Sequence, residues 1–179
     1  MPTPCDLAGR GVLVTRPRVQ AGGLCHLIAV AGGRAIAFPT IEIEAARDRE
    51  GARRILATPM DLLFFTSRNA VNYALDLLPG GVLPAGPRLA AVGKATAEAL
   101  TAAGRAPDLV PEARYDSESL LALPELQNIS GLKAVIVRGE GGRPVLGDSL
   151  RARGAEVTHA EVYVRTLPVV EPAALLEGW

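Results

Sequence analysis

The sequence predicts an α/β protein with a parallel sheet flanked by helices. Short apolar runs alternate with helix-like stretches along the 179 residues, and glycine or hydroxyl residues stand at most of the junctions. Such continuous apolar runs are typical of parallel strands, because helices cover both faces of a parallel sheet. Hydrophobic residues make up 49% of the chain and charged residues 21%, a composition that supports a sizeable core.

The first elements predict a βαβ unit. Residues 11–15 and 34–38 are apolar runs, each closed by a nearby proline, and both predict strands. Helix-type spacing between them continues to Val30, and the pair Gly32 and Gly33 ends it. Two parallel strands and one helix cannot bury both faces of a sheet. This unit therefore either joins the following sheet or needs strands that the chain does not contain.

The same pattern repeats in the rest of the chain. Residues 41–43 alternate between apolar and acidic, which predicts an extended connector or an edge strand. Residues 79–87 predict a loop. Further strands are predicted over 61–65, 88–92, 108–110, 133–137 and 156–164, and helices over 47–57, from Ser67 or Asn69 to Leu78, over 94–103, from 117, over 144–153 and from 168. We expect these later strands to form one parallel sheet, separate from residues 11–39.

Composition excludes several classes of function. The formal net charge is zero, which argues against broad nucleic-acid binding. No window approaches 18 consecutive apolar residues and the N-terminus has no apolar stretch, so we expect no membrane span and no secretory signal. Cys5 and Cys25 have no partners at metal spacing and indicate free thiols in a reducing compartment. We therefore expect a cytoplasmic protein.

Four strand-to-helix junctions carry small hydroxyl, glycine or arginine residues. The carboxyl ends of parallel strands line one edge of a sheet, and ligands bind at that edge. Together the junctions predict a polar, anion-binding edge that takes a small molecule. They are VTRP at 14–17, FTSRNAV at 65–71, AVGKATA at 91–97 and VRGEGGR at 137–143.

Three of these junctions supply candidate ligand contacts. Arg16 at a strand end can hold a carboxylate with two hydrogen bonds, or it is merely solvated. Thr66 and Ser67 supply hydroxyls that either cap the next helix or donate to carboxylates. Gly93 and Thr96 belong to a glycine turn that opens a helix, which is typical of anion binding, although the spacing is not that of a Walker loop.

The fourth junction contains Arg138 and Gly139 and forms either a loose phosphate-binding loop or a flexible turn. Tyr163 in the last strand has the spacing of a packing residue. His26 and His159 are far apart and have no carboxylate, serine or cysteine at meaningful spacing. The sequence therefore predicts no nucleophilic triad and no metal site, and it contains no cofactor motif.

The order of these segments resembles that of the uroporphyrinogen-III synthase family. The resemblance covers roughly residues 11–168. Each segment alone is weak evidence for this resemblance, which rests on the order and spacing of the segments together. The segments are VTRP, a P-x-I-E-I connector from Pro39, FTSRNAV, AVGKATAEAL, YDSESL at 115–120, VRGEGGR and VYVR at 162–165.

This resemblance implies two flavodoxin-like domains joined by a two-strand hinge, with the active site in the cleft between them. Residues 1–40 would begin the first domain, 41–165 would form the second, continuous domain, and 166–179 would be the return linker and the start of a first-domain helix. The family continues through a second set of FTS-like and GxxTA-like segments. We therefore expect this chain to lack the family's C-terminal segment and to contain an incomplete second lobe.

The resemblance also implies a reaction. The family cyclises hydroxymethylbilane, a linear tetrapyrrole, with inversion of the last pyrrole ring and loss of water, and it uses no cofactor or metal. Tyr163 would be catalytic and would donate to the departing hydroxyl. The substrate-binding residues would be Thr15, Arg16, Thr66, Ser67, Gly93, Thr96, Arg138 and Gly139.

Two other functions remain open at this point. One is a non-catalytic tetrapyrrole- or anion-binding module derived from the family. The other is a flavodoxin-like electron carrier, which would need aromatic side chains beside a phosphate loop; the chain does not show that pattern. The resemblance implies a small-molecule substrate, no nucleic-acid or membrane partner, and a monomer when full length.

Overall fold

The computed structural model describes residues 6–112 and 114–169, which fold into two compact units. One unit contains the described residues of Met1–Glu44 and Arg165–Trp179, and the other is Ala45–Val164. Both contain parallel strands with helices packed beside them, which confirms the predicted α/β class. Cys5 and most of the helix predicted from 168 lie outside the described residues.

The first unit is a βαβ arrangement with its own sheet. Strand β1 (Gly11–Val14) pairs in parallel with β2 (Arg34–Ala37), and helix α1 (Arg18–Val30) connects them. Gly32 ends this helix with a φ of +70°. The sheet has two strands and is separate from the larger sheet, so the alternative in which residues 11–39 join that sheet is excluded.

The larger sheet has five strands in the order β3-β7-β6-β4-β5. Strand β4 pairs in parallel with β5 and with β6, and β6 pairs in parallel with β7. All four residues of β4 are buried, because this strand lies inside the sheet and is covered on both faces. The strands are β3 (Glu42–Ala45), β4 (Leu62–Phe65), β5 (Arg88–Ala91), β6 (Lys133–Gly139) and β7 (Glu156–Thr166).

Five helices accompany this sheet. Gly104 and Gly154 follow two of them with φ values of +90° and +84°, the left-handed conformation that glycine adopts readily at a helix end. The helices are α2 (Arg49–Leu56), α3 (Arg68–Leu75), α4 (Lys94–Ala102), α5 (Ser117–Leu121) and α6 (Val145–Ala152), with short 3-10 turns at Pro79–Gly81 and Pro124–Leu126.

Two predicted elements differ from the structure. The strand predicted over 108–110 is a single bridge between Leu109 and Ala90, because the prolines at 107 and 111 have no amide hydrogen with which to extend a ladder. Helix α3 ends at Leu75 instead of Leu78, since Leu78 precedes Pro79 and takes an extended conformation. The acidic connector forms β3 at the edge of the sheet, beside β7.

Candidate functional site

Three of the four predicted junctions meet at one edge of the larger sheet. Phe65, the last residue of β4, is in register with Ala91 of β5 and with Val137 of β6. The segments 65–71, 91–97 and 137–143 therefore leave the sheet side by side, and we call this side the carboxyl edge. Thr15 and Arg16 follow β1 in the other unit, where both are exposed.

The hydroxyl groups of the junction between β4 and α3 form hydrogen bonds within the protein. Ser67 is the N-cap of α3, and its Oγ accepts a hydrogen bond from the amide of Ala70 at 3.0 Å. The Thr66 hydroxyl donates to the carbonyl of Val137 at 3.2 Å, which ties the junction to β6. Ser67, and not the alternative Asn69, is thus the cap of this helix.

The junction between β5 and α4 is open. Its N-cap is Gly93, which has no side chain to accept from the first helical turn, and the amides of Lys94 and Ala95 have no acceptor within the described chain. Thr96 is only 3% exposed, and its Oγ lies 4.0 Å from the point where a Cβ on Gly93 would stand. Unpaired amides at the start of a helix favour an anion.

Tyr163 lies beneath the carboxyl edge and is 1% exposed. Its phenol oxygen is 3.2 Å from the Oγ of Ser67, and its ring stacks on Tyr73 with 6.0 Å between the ring centroids. Gly139 faces the ring, where an added Cβ would stand 2.6 Å from two ring carbons. Gly139 therefore provides the space that Tyr163 fills. The predicted contacts of both residues with a substrate stay predictions.

Arg138 makes its contacts inside the unit. Its guanidinium donates to Glu161 at 2.9 Å and to the carbonyl of Gly142 at 3.2 Å, and its side chain is 15% exposed. Arg138 therefore holds the turn that follows β6, in which Gly141 has a φ of +68°. A contact between Arg138 and a ligand stays a prediction.

His159 lies on β7 beside α6. Burial lowers the pKa of its imidazole, and the positive charges of Arg138 and Arg151 lower it further. Its Nε2 is buried and has no hydrogen-bond partner among the described residues. An added Cβ on Gly147 would stand 2.7 Å from this nitrogen, so the imidazole faces α6. These contacts indicate a packed, neutral histidine.

Two side chains at the carboxyl edge were not selected from the sequence. Lys94 is exposed in the first turn of α4 and has no ion pair within the described ranges. Tyr115 is 51% exposed, and its Cβ would lie 3.9 Å from a Cβ on Gly93. Lys94 directly follows Gly93 in the glycine turn, and this position could have identified it from the sequence as a candidate ligand contact. The position of Tyr115 depends on the fold of a loop, which local spacing does not reveal.

The structure shows no metal centre or membrane helix in the ranges that it describes. No group of three histidine, cysteine, aspartate or glutamate side chains among residues 6–112 and 114–169 could hold a metal ion. No described helix is long and apolar enough to cross a bilayer. Cys25 is a free thiol.

Comparison with known proteins places these features in a family. The model of the family "Uroporphyrinogen-III synthase HemD" matches residues 24–179. The uroporphyrinogen-III synthases of Salmonella typhimurium and Escherichia coli K12 are each 42% identical over 158 residues, which cover 86% of this chain and 64% of those proteins. The chain thus spans somewhat less than two thirds of the length of these relatives.

Solved structures share the fold of this chain. A mutant uroporphyrinogen III synthase from the extremely thermophilic bacterium Thermus thermophilus superimposes with a TM-score of 0.68 at 25% identity, covering 93% of this chain and 66% of that one. The Helicobacter pylori enzyme, at 14% identity and a TM-score of 0.56, shares the fold and covers 96% of this chain and 68% of its own. On the family match and the 42% identity, this chain belongs to the uroporphyrinogen-III synthase family.

Proposed function

We propose that this protein is a uroporphyrinogen-III synthase that cyclises hydroxymethylbilane with inversion of the last pyrrole ring. The observation that carries the proposal is the 42% identity to two relatives with that name. The carboxyl edge supports it, because an uncapped helix start, a neighbouring lysine and hydroxyl groups suit a substrate with many carboxylates.

The proposed reaction balances without an oxidant or a cofactor. The C–O bond of the terminal hydroxymethyl group breaks, and the hydroxyl leaves as water with one added proton. The last pyrrole attacks the resulting cation through its substituted carbon and gives a spiro intermediate. The bond between the spiro carbon and its original methylene bridge then breaks and leaves a second cation, which the free α-carbon of the same pyrrole attacks, so that this pyrrole is inverted. Loss of the proton from that carbon restores the aromatic pyrrole.

The main task of the protein in this proposal is control of conformation. The linear substrate closes unaided to the type I isomer. The enzyme must therefore hold the substrate in a conformation from which only the spiro intermediate can form. Within the larger unit, Gly93 and Thr96 would bind carboxylates, and Ser67 would donate to one. Thr66, Arg138 and Gly139 would also bind the substrate, and their contacts inside the unit hold the edge in place.

Thr15 and Arg16 of the smaller unit are the other two proposed substrate-binding residues. Both side chains are exposed and can reach a ligand. Replacing Arg16 with alanine removes a charge-assisted contact, so we expect uroporphyrinogen III to bind about 1.5–3 kcal/mol more weakly in titration calorimetry. Arg88→Ala is the matched control, because this exposed arginine is the first residue of β5 and lies at the end of the strand opposite the carboxyl edge.

Isomer analysis tests the proposal directly. The protein is incubated with hydroxymethylbilane, the product is oxidised, and the type I and type III isomers are separated by chromatography. We expect type III isomer above a control without protein. Type I isomer alone, together with binding of reduced uroporphyrinogen III, would indicate a non-catalytic tetrapyrrole-binding module. Type I isomer without binding would refute the proposed function.

We also infer that the full-length protein is a monomer, as the family resemblance implies, and that it acts in the cytoplasm. The free thiol of Cys25 is compatible with a reducing compartment. Sedimentation of the purified protein at several concentrations checks the oligomeric state, and a concentration-dependent dimer would contradict it.

A further inference from the structure

The buried phenol of Tyr163 is held in one place. Its ring packs between Gly139 on β6 and Tyr73 on α3, with an interplanar angle of 29° to the Tyr73 ring. Its oxygen lies 3.2 Å from the Oγ of Ser67, which is half-buried at the carboxyl edge. Since Tyr163 is 1% exposed, it reaches this edge through another side chain.

The chemistry of the two hydroxyls sets the direction of their hydrogen bond. A phenol is more acidic than an alkyl hydroxyl and is the stronger donor, so of the two directions that this contact allows we assign Tyr163 as the donor and Ser67 as the acceptor. The Oγ of Ser67 also accepts from the amide of Ala70 at 3.0 Å. A hydroxyl has two acceptor positions and one proton. Both acceptor positions of Ser67 are therefore filled, and its own proton must point away from Tyr163 and Ala70.

We propose that Tyr163 is a positioning residue that acts on the ligand through Ser67. By donating to Oγ, the phenol fixes the direction of the Ser67 proton and presents it to a carboxylate at the carboxyl edge. The donated hydrogen bond also polarises the Ser67 hydroxyl and makes it a better donor. The nature of the ligand rests on the proposed function, whereas the link between Tyr163 and Ser67 does not.

Amide hydrogen exchange tests this link without any ligand. Tyr163→Phe keeps the ring and removes the phenol oxygen, so the Oγ of Ser67 loses one of its two donors and its side chain can leave the rotamer in which it accepts from Ala70. We expect the Ala70 amide to exchange about fivefold faster, the loss of roughly one hydrogen bond. Tyr115→Phe is the matched control and should leave Ala70 unchanged. Wild-type exchange at Ala70 in Tyr163→Phe would overturn the link.

A double-mutant cycle on the whole protein tests the route to the ligand. Reduced uroporphyrinogen III is titrated into the wild type, Ser67→Ala, Tyr163→Phe and the double variant. We expect Kd to rise about fivefold or more in each single variant. Because Tyr163 acts only through Ser67, the double variant should match Ser67→Ala. Ser67→Thr keeps a hydroxyl and should restore the dependence on Tyr163.

Other results would overturn specific parts of the proposal. If the two substitutions multiply their effects on Kd, Tyr163 contacts the ligand directly. If Tyr163→Phe leaves Kd unchanged, the phenol has no part in binding. If the wild type does not bind uroporphyrinogen III, the proposed function and the ligand part of this inference both fail, and the exchange measurement still decides the link between Tyr163 and Ser67.

Discussion

The β4–α3 and β5–α4 junctions stand side by side at the carboxyl edge and solve the same problem differently. Ser67 closes the first by accepting from the amide of Ala70. Gly93 has no side chain that could do this in the second, where the corresponding amide, that of Thr96, bonds to the backbone carbonyl of Gly93 at 3.0 Å. Both begin as extended strand ends and continue as helices, so the difference lies in one side chain.

This difference separates stability from binding. A serine N-cap stabilises its helix by about 1 kcal/mol, because it satisfies an amide that would otherwise need water. An uncapped helix gives up that stabilisation and keeps its amides available for an anion. In the capped junction the amide of Ala70 is used by the protein, and the hydroxyl proton of Ser67 is available for a ligand.

Among the substitutions that test this comparison of the two junctions, Gly139→Ala should have the largest effect on the free energy of unfolding. In Gly139→Ala the new methyl group would stand 2.6 Å from the Tyr163 ring, so the ring must move away from Ser67. Overpacking of this kind lowers the free energy of unfolding by about 1–3 kcal/mol. Urea denaturation measures the loss. Gly86→Ala is the control, since nothing lies within 4 Å of its added Cβ, and an equal loss in both variants would contradict the packing argument.

Removal of the Ser67 hydroxyl should make the capped junction resemble the open one. Ser67→Ala leaves the Ala70 amide without its acceptor and should lower the free energy of unfolding by about 1 kcal/mol. Thermal denaturation measures this change. Ser67→Thr keeps the oxygen and should lose much less stability. If the alanine and threonine variants unfold alike, the hydroxyl does not stabilise α3.

Addition of a hydroxyl at Gly93 should make the open junction resemble the capped one. The backbone of Gly93 is extended, with φ −141°, and there is room for a Cβ. In Gly93→Ser the new oxygen should accept from the first turn of α4 and raise the free energy of unfolding by at most a few tenths of a kcal/mol. The same oxygen should weaken the binding of uroporphyrinogen III in titration calorimetry.

The matched control for this change is Gly93→Ala. It adds the Cβ without an oxygen, so the amides of α4 stay open and affinity should fall less than in the serine variant. Equal affinities for the two variants would show that bulk alone disturbs the site. Unchanged affinity in Gly93→Ser would mean that these amides do not bind the ligand.

Local spacing predicted most of the elements around the carboxyl edge. The apolar runs at 61–65 and 88–92 became β4 and β5, because short uninterrupted apolar segments bury well only inside a parallel sheet. Where prolines surround a short run, as at 108–110, the pattern overestimated the strand. The sequence left Ser67 and Asn69 as alternative caps of α3, and the hydrogen bond to Ala70 distinguishes them.

The sequence by itself determined the α/β class, the junctions with hydroxyl and glycine residues, and the family, because these depend on local patterns and their order. The tertiary structure decided which of those residues already have partners within the protein. Tyr163 meets Ser67 across 96 positions of the chain, and Arg138 meets Glu161 across 23. Such partners come together only when strands take their places in the sheet, and no local spacing encodes that order.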